Sequence, residues 1–194
     1  MAKTFRKVIS GGQLGADIAA IDATMATSAY QWGGYVPRGR LTEAGQIPDK
    51  YFNVDRLGCG FIETDNSRYT HRTRLNASQS DGTLAIKMGK WTNGTRMTCD
   101  YCRGIGKEYY IADPYRPLLH IPQAAKWVIL NEIAVLNVAG PRASRRKRAY
   151  AMTYQFVSDL LWCITLYHRW GIKVWDPKRP MKQKPLTNPN GAIT

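Results

Sequence analysis

The chain has 194 residues, a formal net charge of +14, 44% hydrophobic residues and 22% charged residues. This balance suits a globular unit with a sizeable core, leaves no apolar run long enough for a membrane span, and makes a negatively charged partner the expectation: nucleotide, nucleic acid or anionic surface. The cysteines Cys59, Cys99, Cys102 and Cys163 are too few for a disulfide scaffold of this size, and the opening residues Met1 to Lys7 lack the long apolar region of a signal peptide, so the cytoplasm is the expected location.

Residues 7–10 form a β-branched run that ends in Gly11-Gly12. A helical pattern follows over 15–28, with Ile18, Ile21 and Met25 on one face. Strand, glycine-rich turn and helix N-terminus together make an anion site: Gly11, Gly12 and Gly15 permit close backbone approach, and free N–H groups beside Gln13 and Asp17 favour an oxyanion. The same residues equally make a tight strand-to-helix turn that binds nothing. Tyr30 to Tyr35 reads as a short second strand, broken at Gly33-Gly34. The stretch 36–48 is long and polar for a loop. Within it Arg38 and Arg40 flank Gly39 and are placed to fork onto phosphate oxygens, or simply to face solvent.

Residues 51–67 show no clear period. A helix is expected over 68–79, stopped by the turn Ser80-Asp81-Gly82, then a buried strand over 83–88, a polar turn over 89–94 and a short helix over 95–103. A strand over 108–112 ends at Asp113-Pro114, and a helix follows over 122–132. Residues 133–138 are the clearest strand and end in Ala139-Gly140-Pro141-Arg142. The last helix spans 144–170, with Met152, Phe156, Leu160, Ile164 and Tyr167 as its core face. Arg145, Arg146, Lys147 and Arg148 in its first turns oppose the helix dipole, which points to a bound anion or partner, or else to a solvated basic turn. The tail over 171–194, rich in prolines and basic residues, is expected to lack a core of its own, which makes 1–170 one domain.

Strands alternating with helices predict an α/β, Rossmann-like fold with a mostly parallel sheet and helices on both faces. Ligands in such sheets bind at the carboxyl ends of the strands. The turns at Gly11-Gly12, Ser80–Gly82 and Gly140-Pro141 and the loop before Gly94-Thr95 are therefore expected to converge on one edge. Cys99-x-x-Cys102 offers two zinc thiolates, but no second close pair follows and His71, His120 and His168 are scattered, so helix packing is the expectation and no metal ligand is assigned. Trp91, Tyr101, Tyr109, Tyr110 and Tyr115 are candidates to stack on a base or to fill the core.

The segments that carry chemistry resemble, in order, the blocks of the putative molybdenum carrier family. Ile9-Ser10-Gly11-Gly12-Gln13-Leu14-Gly15-Ala16-Asp17 resembles its opening motif. Gly33-Gly34-Tyr35-Val36-Pro37-Arg38-Gly39-Arg40, with Glu43, Gly45, Ile47-Pro48 and Tyr51, resembles the second block. Arg72-Thr73, Asn76 and Ser80-Asp81-Gly82-Thr83-Leu84 resemble the third, and Gly94-Thr95 with Thr98 the fourth. Val135 to Arg142, with Ser144, resembles the fifth. The resemblance implies a SLOG-type Rossmann-like domain, a group that includes nucleotide-sensing domains and cytokinin-activating phosphoribohydrolases, and it implies a homo-oligomer. Leu14 stands where the family usually has threonine, and Ala143 where an acidic residue is common.

The related phosphoribohydrolases use a Gly-Gly-x-Gly-Thr-x-x-Glu block whose glutamate supports cleavage of an N-glycosidic bond. Here that position is Thr98, which cannot act as a carboxylate acid or base, while Asp17, Asp81 and Asp100 each have a plain structural role. The expected function is therefore non-catalytic binding of a phosphate-bearing, nucleotide-like molecule for sensing, carriage or sequestration. One form is a sponge for a nucleotide immune signal such as a phage encodes, acting in the host cytoplasm. The expected ligand-binding set is Gly11, Gly12, Gln13, Gly15, Asp17, Arg38, Arg40, Ser80, Asp81, Gly94, Thr95, Thr98, Gly140, Pro141 and Arg142, with no cofactor required. The alternatives are a nucleotide N-glycosidase, a molybdenum-cofactor carrier, and a nucleic-acid binder using Arg145–Arg148 and the Lys178–Lys184 tail.

Overall fold

A computed structural model describes residues 3–52 and 58–176. In chain order these form β1 (Lys7–Ser10), α1 (Ala16–Thr27), β2 (Gln31–Val36), the short strands β3 (Leu41–Thr42) and β4 (Gly45–Gln46), β5 (Gly60–Glu63), α2 (Tyr69–Gln79), β6 (Gly82–Ile86), α3 (Asn93–Gly104), β7 (Glu108–Ala112), α4 (Pro117–Leu130), β8 (Val135–Ala139) and α5 (Ala149–Trp170). Six strands pair in the order β5-β2-β1-β8-β6-β7, every pair parallel. This is a Rossmann-like α/β sheet covered on both faces, and such strands read as near-continuous apolar runs; β6 is buried at all its positions.

The period of two along the strands sorts their side chains between the layers. Val8, Leu84, Ile86, Leu136 and Val138 join Trp127, Phe156, Leu160, Leu161 and Ile164 in one core on the side of α1, α4 and α5. Each large side chain withdrawn from water there contributes about 1.5–3 kcal/mol. The alternate positions meet α2 and α3 and are more polar. There the Thr83 hydroxyl accepts from Asn137 Nδ2 at 3.1 Å and from Cys102 Sγ at 3.4 Å. A smaller cluster under the other end of the sheet joins Ile18, Ile21, Trp32, Val36 and Phe61 to Ile47 and Tyr51.

Several elements depart from the sequence expectation. β2 runs unbroken through Gly33-Gly34, because ladders to β1 on one side and β5 on the other hold it. The stretch 36–48 is a folded arm: β3 and β4 form a hairpin and Ile47 and Tyr51 anchor it in the core. α4 starts at Pro117, a favoured first helical position, and continues through Pro122. α5 starts at Ala149, so Arg145, Arg146 and Lys147 precede the helix and do not load its first turn with charge. Of the stretch read as a tail, Trp175 is buried against Tyr167 and the main core; residues 177–194, with the Lys178–Lys184 segment, lie outside the described residues. No helix among the described residues is long and apolar enough to cross a membrane.

The turn at Ser80-Asp81 lies at the amino end of β6, opposite to the turns at Gly11 and Gly140, so it cannot converge with them. Both residues fasten the fold. Asp81 Oδ2 accepts from the Val135 and Ala134 N–H groups at 2.8 and 3.1 Å, and Oδ1 from Lys3 Nζ at 3.0 Å. Ser80 Oγ donates to the Ala77 carbonyl at 3.0 Å. Burial works to raise the Asp81 carboxyl, but the Val135 N–H, Lys3 and the Ala134 N–H outweigh it and hold the group below its ordinary value of 3.8. Asp81→Ala is expected to cost about 1.5–3 kcal/mol in urea unfolding at neutral pH, since it strands two N–H groups. Because the folded-state value is lowered, this contribution is present above the unfolded value and is lost as pH falls through the folded one. The gap between wild type and variant should therefore close only in that acidic range.

Candidate functional site

β1 leads through α1 to β2 on one side, whereas its other neighbour, β8, pairs with β6. Their carboxyl ends therefore flank the switch point where doubly wound sheets bind ligands. The two loops leaving this point are stitched together. Ala16 N donates to the Pro141 carbonyl at 3.1 Å, Ala143 N to the Leu14 carbonyl at 2.8 Å, and Gly15 bridges to Arg142. Gly15 has φ 115°, and a Cβ there would lie 2.6 Å from Pro141 O and Ala143 N. Gly12, at φ 71°, turns its vacant side to Val36 and Ile47, 2.8 Å from an added Cβ. Its lack of a side chain serves the core and not a ligand. At Gly140 an added Cβ would meet Ala16 Cβ at 2.5 Å, so that glycine lets helix and strand approach.

Arg72 reaches from α2 across Gly11, where a Cβ would fall among its guanidinium atoms, and places Nη1 3.4 Å from Asp17 Oδ2. Asp17 Oδ2 also accepts from Gln13 N at 3.4 Å. Burial pushes the Asp17 carboxyl up, opposed by the Arg72 charge, the Gln13 N–H, the Arg142 charge and the Gly140 N–H. Burial likewise pushes the Arg72 guanidinium down, opposed by Asp17. In the glycine turn after β1 the Gln13 N–H is thus given to the protein's own carboxyl and the Gly12 N–H to the Ser10 hydroxyl, each at 3.4 Å, so these two donors are already engaged.

Beside this pair opens a cleft of about 420 Å³. Gln13 and Asp17 line it, with Tyr69, Arg72 and Thr73 from α2, residues 91–95, Met97 and Thr98 around the start of α3, and Ala139, Gly140, Arg142, Arg145 and Arg146 after β8. The first N–H groups of a helix have no partner within it, and the dipole adds partial positive charge, so the N-terminus of α3 is the helix end presented to this space. Thr92 caps it, its hydroxyl accepting from Thr95 N at 3.4 Å. Thr98 Oγ1 donates to the Gly94 carbonyl at 2.9 Å. Arg146 shapes a wall, with Nε on the Met88 carbonyl at 2.9 Å and Nη2 on the Lys90 carbonyl at 3.2 Å. Arg142 lies over the Tyr69 ring at 4.8 Å, and Arg145 is exposed. Four arginines against one carboxyl make the lining basic.

The folded arm reaches the rim. Glu43 accepts from Ser144 N at 3.1 Å and from the Ser144 hydroxyl. Burial works to raise the Glu43 carboxyl, but the Ser144 bonds and the Arg142 and Arg145 charges outweigh it and hold it below 4.5.

Of the residues expected to bind, Gln13, Asp17, Gly94, Thr95, Thr98, Gly140 and Arg142 line this cleft, while Gly11, Gly12, Gly15 and Pro141 shape the turns beneath it. Ser80 and Asp81 are at the other edge. Arg40 is spent on Glu63 and Asp49, each at 2.8 Å, and on the Phe52 ring, and neither it nor Arg38 is in the lining. Trp91 is the one predicted stacking residue that lines the cleft; Tyr110 is core. Cys99 and Cys102 are buried packing residues, and burial pushes the Cys99 thiol up to about 12. Tyr69 and Arg72 also line the cleft, outside the expected binding set. Their signal was an arginine and an aromatic on the helix between two glycine motifs, but helical periodicity does not say that this face looks onto Gly11.

A doubly wound parallel sheet with a basic cleft at its switch point defines a small-molecule-binding α/β protein. The chain belongs to the circularly permuted YpsA SLOG family, whose model matches residues 8–161. A crystal structure of a putative molybdenum carrier protein from Syntrophus aciditrophicus is 34% identical, superposes with a TM-score of 0.71, and the match covers 82% of this chain and 96% of that one. No curated protein matches the chain.

Removing one member of a buried ion pair leaves the other charge unpaired. Asp17→Asn is expected to cost about 3–5 kcal/mol in chemical denaturation. Adding Arg72→Met to it should restore a large part of that loss, because the apolar side chain has no charge to strand.

Proposed function

We propose that the cleft holds a phosphate-bearing, nucleotide-like molecule and does not transform it. The observation that carries this reading is the meeting of the α3 N-terminus, Arg142 and Arg145 with the side chains of Trp91 and Tyr69 around one space of about 420 Å³. That size suits a small organic ligand. A phosphate is held by the helix end and the two arginines, and a planar base by Trp91.

The absence of chemistry follows from the same residues. Thr98 stands where the resembled hydrolases carry their glutamate, and its hydroxyl is committed to Gly94 O. Asp17, the carboxyl in the lining, is bound to Arg72 and to main-chain N–H groups, which suits a structural role better than proton transfer. A binder of this kind serves sensing, carriage or sequestration, and a sponge for a nucleotide signal is one form of it. Among the described residues no thiol or imidazole lines the cleft, so the phosphate of an organic cofactor is the part of a molybdenum cofactor that this lining would suit, should the name of the similar Syntrophus protein bear on this chain.

Arg142→Ala is expected to weaken adenosine monophosphate binding by about 1.5–3 kcal/mol in calorimetry, while Asp81→Ala leaves it unchanged. Chromatography after long incubation should show no free adenine. Binding of nucleic acid through the exposed Arg145, Lys147 and Arg148 should be weak and vanish near physiological salt, because counterion release drives it. Unchanged affinity in Arg142→Ala, or release of adenine, would overturn the reading.

A further inference from the structure

We propose that the outward face of α5 is a self-association surface, on which a second copy of this chain packs antiparallel about a two-fold axis. The proposal is independent of what the cleft holds.

α5 packs against α1 and α4 and buries Thr153, Phe156, Val157, Leu160, Leu161 and Ile164. The outward face of a surface helix is ordinarily charged. Apart from His168, the 22 residues of α5 carry two full charges, Asp159 and Arg169. The side turned out holds Trp162 at 60% exposure, with Trp170 near it at 55%. Few charges, exposed aromatic side chains and an arginine make the composition of an interface and not of open surface.

Gln155, Asp159, Trp162, Leu166 and Arg169 recur at intervals of four and three residues, which is the spacing of a helix-packing seam. All five are exposed or half-buried. The last four are arranged symmetrically, as acid, Trp, Leu and Arg at intervals of three, four and three. Asp159 and Arg169 lie about 15 Å apart along the helix axis, too far to neutralise each other. Neither forms an ion pair among the described residues. Asp159 accepts from Gln155 Nε2 at 2.9 Å, and the Arg169 guanidinium lies over the Trp170 ring at 5.5 Å.

A two-fold axis between Trp162 and Leu166 exchanges the halves of this stripe. Each Asp159 then meets Arg169 of the second copy, and each Trp162 packs on Leu166 of the second copy, so two ion pairs flank an apolar centre. Parallel pairing would instead set Asp159 on Asp159 and Arg169 on Arg169. The seam is neutral although the chain carries a formal charge of +14, so copies that repel one another elsewhere can approach along this line. A single helix seam is small for a specific interface, which sets the association in the micromolar range.

Sedimentation equilibrium of the full chain across micromolar concentrations measures the dimer. Wild type should dimerise. Trp162→Ala should weaken the dimer at least about ten-fold, as a central aromatic anchor does. Asp159→Arg and Arg169→Asp should each do the same, because each opposes like charges. The two reversals in one chain should restore dimerisation to within about three-fold of wild type, and a mixture of the two single variants should form heterodimers where neither dimerises alone. Wild type that stays monomeric throughout, whether another protein or residues 177–194 of the chain cover α5, overturns the proposal. A dimer that the single reversals leave intact also overturns it, since its interface lies elsewhere. Failure of both the double variant and the mixture to restore association overturns the antiparallel pairing. The mixture decides the matter if the double variant fails to fold, and the double variant decides it if a single variant fails.

Discussion

The Arg72–Asp17 pair, buried where β1 gives way to α1, is the constraint around which the rest is arranged. Two charges taken out of water are tolerable only with good mutual geometry and further hydrogen bonds, and the surrounding residues supply these. Gly11 has no side chain, so the guanidinium can cross above it. Gln13 and Gly140 turn N–H groups to the carboxyl. α2 is fixed in register by Asn76, whose amide accepts from Tyr35 N and donates to Tyr35 O, both at 2.9 Å. The pair joins elements from the two faces of the sheet, α1 and α2, beneath one cleft.

In the proposed reading this arrangement also sets where a ligand's charge belongs. In many doubly wound proteins the first glycine turn receives the phosphate. Here that turn gives its Gln13 N–H to the protein's own carboxyl, and the N-terminus of α3 lines the cleft together with Arg142 and Arg145. Arg146 sacrifices its donors to the carbonyls of Met88, Lys90 and Arg145, which holds the basic turn against the loop that leads into α3. Other cations form their ion pairs away from the mouth of the cleft: Arg40 with Glu63 and Asp49 on the arm, and Lys3 with Asp81 at the far edge.

Glu43 links arm and rim. Its carboxyl is held by Ser144 beside Arg142 and Arg145, so the hairpin is tied to the loop after β8, about a hundred residues further along the chain. Gln13 completes the link, since its amide reaches the Leu41 carbonyl on the same arm. The cleft and the arm thus share partners although residues 13, 43, 72 and 144 come from four separate segments.

Much of this was legible in the sequence. Apolar runs of strand length alternating with amphipathic segments determine a parallel α/β sheet, because such strands need crossover helices and burial on both faces. Glycine motifs at the ends of the first and last strands marked both turns of the switch point. Periodicities of two and 3.6 specify an element and its buried face, but they carry no information about strand order or about which edge a turn occupies. Only the tertiary structure put Ser80-Asp81 at the far edge, turned the vacant side of Gly12 into the core, tied Arg40 to the arm and started α5 after the basic turn. It alone brought Arg72 over Gly11, because that contact joins α2 to the turn after β1, and no local pattern records a meeting made by the path of the whole chain.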